Sequence, residues 1–148
     1  MSNSPESADE KQIRQLIDEW KDALCARDLD RLMRYYSPDV VFFDAVPPHV
    51  HRGAAAYRRT WENMFALLPA HLGSEVRDLH ITVSGDLAAM HCLQRLINAD
   101  TQEAATCGWV RVSVTYQKQD GRWKVMHEHV SVPFDPTTSK AVFIKALQ

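Results

Sequence analysis

Apolar residues recur every three or four positions through the first half of the chain and every second position through the latter half, so helices are expected first and strands after. Ile13, Leu16, Ile17, Trp20 and Leu24 make one face of a first helix. Ser7-Ala8-Asp9-Glu10 marks its start as a capping box, the Ser7 hydroxyl taking the Glu10 amide. Asp28 can cap a short second helix with Leu29, Leu32, Met33 and Tyr36 on its apolar side. Ser37-Pro38-Asp39 ends that helix, because the residue before a proline avoids the α region. The β-branched and aromatic run Val40-Val41-Phe42-Phe43 predicts a strand. Pro47-Pro48 interrupts regular structure, and Gly53 opens a third helix with Tyr57, Trp61, Met64, Phe65 and Leu68 on one side.

From His71 onward the period is two. Val76 to Ser84, Leu87 to Ala99, Cys107 to Lys118 and Arg122 to Pro133 read as strands, separated by Gly85-Asp86, a polar loop from Asp100 to Thr106, and Gln119-Asp120-Gly121. Short connections make neighbouring strands antiparallel. Helices followed by a run of strands give the α+β class, with helices covering one face of a bent sheet. The tail from Pro133 to Gln148 carries Ala141, Val142, Ile144, Lys145 and Leu147 at a spacing that fits a short helix. The organisation expected is a disordered segment at 1–8, one domain at 9–133, and a tail at 134–148.

The register of the last hairpin decides which side chains face the helices. A three-residue loop at Gln119-Asp120-Gly121 pairs Val114 with Met126 and Val112 with Glu128, whereas a two-residue loop shifts every partner by one. Under the first choice Val110, Val112, Val114, Tyr116, Met126, Glu128 and Val130 share the inner face. Trp109, Arg111, Ser113, Trp123, Val125, His127, His129 and Ser131 share the outer one. An aliphatic face suits a core and pocket, and a face of Trp, Arg and His suits a subunit contact.

Composition narrows the function classes. With 148 residues the chain fits one domain of the usual ~100–200 residues. Its 17 basic and 19 acidic residues leave a net charge of −2, which provides no basic field for nucleic acid. Cys25, Cys92 and Cys107 lack C-x-x-C spacing, as expected of reduced thiols in a cytoplasmic protein rather than a disulfide framework. Neither a leader-like start nor an apolar run long enough to span a membrane is present in the sequence, so no membrane association is expected.

The order of elements, Phe42-Phe43-Asp44, Arg52-Gly53 at the entry to the third helix, and Asp120-Gly121-Arg122-Trp123 together resemble the nuclear transport factor 2-like superfamily, in its SnoaL-like and ketosteroid isomerase-like branch. Gly85-Asp86 through Arg95-Leu96, with Trp123, His127, His129 and Ser131, is similar to the association (hub) domain of calmodulin-dependent protein kinase. The resemblance implies a cystatin-like α+β roll: a cone-shaped, mostly antiparallel sheet wrapped around three N-terminal helices, with a cavity between them and dimerisation through the outer sheet face. It also implies site residues. Asp44 stands nine residues before Gly53, as the proton-shuttling aspartate of ketosteroid isomerase does before its helix glycine. That enzyme's oxyanion donors fall here on Trp20 and on Ser113 or Val114, which supply no matching pair. The hub domain's pocket arginines fall on Arg95, Val114 and Val130.

The expected cavity therefore has Trp20, Tyr36, Phe43, Trp61 and Phe65 as walls, Val114, Met126 and Val130 on the sheet side, and Asp44, His91, Arg95 and Glu128 as polar groups. Arg95 either pairs with Glu128 across the cavity or meets an anionic ligand, since a buried guanidinium needs a partner. His127-x-His129 and His49-x-His51 have strand-ligand spacing but lack a third ligand on their face, so no metal and no cofactor are expected. The function expected is the binding of a small, largely apolar organic molecule by a homodimer, with Trp109, Arg111, Trp123, His127 and His129 at the dimer contact. One alternative is an isomerase, cyclase or dehydratase using Asp44 as general base, relayed by His49. Another is an oligomerisation module whose pocket is vestigial.

Overall fold

The computed structural model describes residues 4–148, and residues 1–3 of the segment expected to be disordered lie outside it. Glu6 and Ser7, in that same segment, are held at the start of α1 (Ala8–Cys25). The Glu10 amide donates to Ser7 Oγ at 3.1 Å, and Arg14 pairs with Glu6 at 2.7 Å. The helix buries Ile13, Ile17, Ala23 and Leu24. Asp28 caps α2 (Leu29–Met33), its carboxylate accepting from the Arg31 amide at 3.0 Å. Tyr36, expected on that helix, instead begins β1 (Tyr36–Phe43), where it pairs with Val125 while Pro38 keeps Ser37 out of the α region.

The cross-strand partner β2 (His51–Arg52) leads through Gly53, at φ 88°, into α3 (Ala54–Phe65). Four long strands follow: β3 (Leu72–Ser84), β4 (Leu87–Asn98), β5 (Val110–Gln119) and β6 (Arg122–Ser131). The sheet order is β2-β1-β6-β5-β4-β3, antiparallel throughout except that β1 lies parallel to β6. The chain is thus α+β, a curved mixed sheet closed on its inner side by three helices. Its main core joins Ile13 and Ile17 of α1 to Val40, Phe42, Met90, Val112, Val114, Tyr116 and Val125 of the sheet.

The tail forms no helix. Phe134–Asp135 (β7) pairs with Lys140–Ala141 (β8), and the Trp109 amide donates to the Ile144 carbonyl at 2.9 Å. The apolar positions of so short a segment are worth less as a marginal helix than its backbone groups are when bonded to the sheet.

The last hairpin takes the alternative register. Asp120 and Gly121 alone make the turn, with φ 51° and 76°, the pair of positive angles that a two-residue reversal matched to strand twist requires. The extra residue lies further down, at Met126, which bulges where Thr115 faces His127 and Tyr116 faces Val125. Val114 therefore faces Glu128, not Met126, and Val112 faces Val130. Because the bulge reverses the alternation, Trp123 and Val125 face inward before it and Glu128 and Val130 after it. Trp123 and Val125 were expected outward. Trp123 is 5% exposed, and its indole N–H donates to Asp9 at 3.3 Å, tying the hairpin to the start of α1.

The outer face differs from expectation in three further ways. His91 is exposed there, stacked against His80 at 5.2 Å, because inward positions on β4 are the even ones, Ala88, Met90 and Cys92. Arg95 shares His91's face, bonds Glu75 on β3 at 3.0 Å and lies 5.0 Å over the Trp109 ring. Trp109 is only 5% exposed, covered by these arginine contacts and by the tail, so its ring is not a bare surface for a second subunit. Arg111 and His129 remain exposed on that face, and His127 bonds the Val41 carbonyl at 2.7 Å.

Candidate functional site

Between α1, α3 and the inner face of the sheet lies a cavity of about 160 Å³. Its walls are mainly apolar and aromatic: Trp20 from α1, Phe42 from β1, Tyr57, Trp61 and Met64 from α3, and Leu96, Val110 and Val130 from the sheet. Asp44, Thr60, Gln94 and Glu128 supply polar atoms, and the loop residues Thr106, Cys107 and Gly108 complete one side. The rings pack on one another. Phe42 stacks on Tyr57 at 4.4 Å, and Trp61 meets Tyr57 at 6.0 Å and Trp20 at 6.3 Å, edge to face.

A second, inner compartment of about 30 Å³ lies behind this cavity, bordered by Tyr36, Val114, Tyr116 and Val125. Trp20, Gln94 and Glu128 border both spaces. A polar chain runs along this boundary. The Trp20 indole N–H donates to the Tyr36 hydroxyl at 2.7 Å, Tyr36 to the Tyr57 hydroxyl at 3.5 Å, and Tyr57 to Glu128 Oε2 at 3.1 Å. Each donor is thereby committed toward the next group, and the chain ends on a carboxyl.

Glu128 is 8% exposed on the inner face of β6, aimed there by the Met126 bulge. Burial lifts its carboxyl to about 7, helped by the charge of Asp44 and opposed by the Tyr57 hydrogen bond. Asp44 is also raised by burial, held in check by the amides of Val46 and Ala45 and by His51. The imidazole beside it is His51, not His49. His51 Nε2 lies 3.8 Å from Asp44, whereas His49 is exposed in the loop and absent from the cavity wall. The antiparallel pairing of β2 with β1 sets His51 opposite Phe42, and so turns it inward. The Thr60 hydroxyl lies 3.3 Å from the Ala56 carbonyl and 3.4 Å from His51 Nδ1.

Several expected wall residues lie elsewhere. Phe42 takes the place of Phe43, which is 39% exposed on the outer side and packs on His127 at 4.7 Å. Phe65 sits behind Trp61 at 5.7 Å, under the Arg27 guanidinium. Tyr36 and Val114 border the inner compartment, and Met126 borders neither space. Arg95 reaches the cavity rim, but its guanidinium is engaged with Glu75 rather than Glu128. Sequence reasoning missed Tyr57 as a polar group, His51, and the N–H of Trp61, which is buried with no acceptor among the described residues. The one available signal was Tyr57 and Trp61 at i and i+4, which puts both on one helix face. Among the described residues, no three His, Cys, Asp or Glu side chains gather as metal ligands.

The model of the SnoaL-like domain matches residues 13–135. The chain belongs to the SnoaL-like family. An NTF2-like protein of unknown function from Pseudomonas putida KT2440 shares 37% identity, over 95% of this chain and 97% of that one, with a TM-score of 0.85. A candidate dehydratase of the NTF2-like family from Streptomyces avermitilis is 17% identical, over 86% of this SnoaL-like chain and 97% of its own, at TM-score 0.72. A candidate calcium/calmodulin-dependent protein kinase II association domain from Xanthomonas campestris is 20% identical, over 88% and 91%, at TM-score 0.70. Both of the latter share the fold. No curated protein matches the chain. No helix among the described residues is long and apolar enough to cross a membrane.

Proposed function

We propose that this SnoaL-like protein binds a small, largely apolar organic molecule in the 160 Å³ cavity and moves a proton on it. The observation that carries this reading is the meeting of two carboxyls, Asp44 and Glu128, on the wall of one apolar cavity, with the His51 imidazole 3.8 Å from Asp44 behind that wall. Ligand pockets are mostly apolar with few placed polar groups. Carboxyls whose environments separate their proton affinities divide the roles of base and acid. Asp44, the less strongly raised, takes a proton from carbon, with His51 beside its oxygen. Glu128, lifted to about 7, holds a proton through the mildly acidic range and gives it to a ligand oxygen. Isomerisation, dehydration and cyclisation all use such a pair.

The test is proton exchange at the α-carbon of a ketone probe in deuterated water, followed by NMR. Asp44→Asn is expected to slow the protein-dependent rate by roughly 10²–10⁴-fold. An unchanged rate would remove the proton-transfer step and leave binding alone.

The same reading takes the outer sheet face as the contact with a second copy of the chain. Its support is the exposed Phe43 beside His129, with Leu87 and Arg111 also exposed on the same sheet face. Light scattering is expected to give a dimer. A closed ring would instead favour the assembly-module reading.

A further inference from the structure

We propose that the occupant of the main cavity is a neutral, single-ring compound carrying a carbonyl oxygen, bound with that oxygen on the Trp61 indole N–H and its ring against Phe42, Tyr57 and Trp20. The inference rests on the binding reading above and narrows it in three respects, each from a separate observation.

Size sets the ring count. The cavity encloses about 160 Å³, and an engineered apolar cavity of about 150 Å³ in another protein takes one benzene molecule. The space opens to solvent at its mouth, so one ring with a short side chain fills it, while a fused polycycle would have to leave a ring outside. The walls offer ring faces and edges at the spacing aromatic pairs favour, since Phe42, Tyr57 and Trp61 already lie 4.4–6.0 Å apart.

Charge excludes an anion. The ionisable groups on the wall are two carboxyls, Asp44 and Glu128, together with Arg95 and Cys107. The Arg95 guanidinium is engaged by Glu75 at 3.0 Å through Nη2 and lies 5.0 Å over the Trp109 ring, while its buried Nε–H has no acceptor among the described residues. A ligand carboxylate would thus lose its water beside two acids, with the one guanidinium on the wall already neutralised by Glu75.

The oxygen follows from Trp61. Its Nε1 is buried and has no acceptor among the described residues, and the side chain lines the cavity. An indole nitrogen only donates, so its complement is an acceptor. The Trp20 indole, by contrast, is already bonded to Tyr36 at 2.7 Å, so the unmet donors on the wall are Trp61 Nε1, set among the Tyr57 and Trp20 rings, and Arg95 Nε at the rim. A carbonyl oxygen at Trp61 lies in the same cavity as Glu128, and the Trp61 N–H becomes a positioning contact for the proton chemistry.

Four probes test this by NMR titration of the indole N–H signals of the whole chain: acetophenone, ethylbenzene, benzoate and 2-acetylnaphthalene. Trp61→Phe assigns the Trp61 signal and keeps an aromatic ring at the site. Acetophenone is expected to bind and to shift that signal downfield. Trp61→Phe is expected to weaken acetophenone by about two- to tenfold, the worth of one hydrogen bond, and to leave ethylbenzene unchanged. Unchanged ethylbenzene binding also certifies that the variant's cavity is intact. Tighter binding of benzoate or of the naphthyl ketone than of acetophenone would overturn the ligand class and leave the broader binding reading standing. Equal weakening of acetophenone and ethylbenzene by Trp61→Phe would overturn the role of the N–H. Failure of all four probes to bind would remove this proposal and the cavity-binding reading together.

Discussion

Replacing Glu128 by Gln gives the sharpest measurement of whether the site holds a displaced proton. In the unfolded chain this carboxyl titrates near 4.5, and in the fold burial lifts it to about 7. The folded state therefore keeps a proton that the unfolded state gives up across that interval. The sign follows from linkage: the state that binds more protons loses ground as pH rises. Stability is highest below 4.5, declines as pH climbs toward 7, and is level above it. At ~1.4 kcal/mol per pH unit the interval amounts to about 3 kcal/mol. Gln keeps the shape and the acceptor for the Tyr57 hydroxyl but cannot ionise. The variant is expected to match the parent near pH 4.5 and to exceed it by about 3 kcal/mol at pH 8. That difference corresponds to a melting temperature roughly 5–10 °C higher in a chain of this length. Urea unfolding of both proteins between pH 4.5 and 8 reads the effect directly. Taking the difference between the two removes the part of the Asp44 contribution that does not depend on the Glu128 charge. Parallel stability curves for parent and variant would refute the assignment of a raised carboxyl to Glu128.

Three further outcomes follow from packing. Gly108→Ala would bring a Cβ to 2.5 Å from the Ile144 carbonyl at a φ of 105°, so the tail should detach, seen as rapid proteolysis within 134–148 while the body of the domain stays folded. Ser7→Ala removes the acceptor for the Glu10 amide and should cost about 1 kcal/mol in denaturant midpoint, with the slope unchanged. Tyr57→Phe takes away the hydrogen bond that holds the Glu128 carboxyl down, so the pH at which stability levels off should move above 7.

Much of the architecture was legible because it is written in short-range chemistry. Ser7 and Asp28 as caps, Gly53 at the entry to α3 and Asp120-Gly121 as a turn each specify local backbone, and each is found where expected. The inward valines of β5 and the outward His127 and His129 also follow from simple alternation. What alternation cannot carry is a change of phase. The bulge at Met126 moved Trp123 and Val125 to the inner face, and no residue in that run announces it. Parity alone also left open which face of β4 turned inward, so His91 was expected where Cys92 and Gln94 stand, while Arg95 does reach the cavity wall. His51 was hidden differently: its place beside Asp44 depends on a two-residue strand whose pairing with Phe42 is long-range. The closing of the tail over Trp109 likewise depends on partners far away in sequence.

That one supernumerary residue on β6 has a reach beyond this molecule. Trp123 and Glu128 are five positions apart and would point opposite ways on an unbroken strand, yet here both look toward the helices. The acid is therefore installed by a count of residues rather than by the string His127-Glu128-His129 itself. A relative carrying the same three letters at the same spacing from the turn but on an unbroken strand would aim its carboxylate away from the helices and its imidazoles into the cavity. Deletion of Met126 would leave Trp123 and Glu128 four positions apart on a regular strand and both still inward, so family members are better sorted by the spacing from the turn together with the bulge than by the motif they spell.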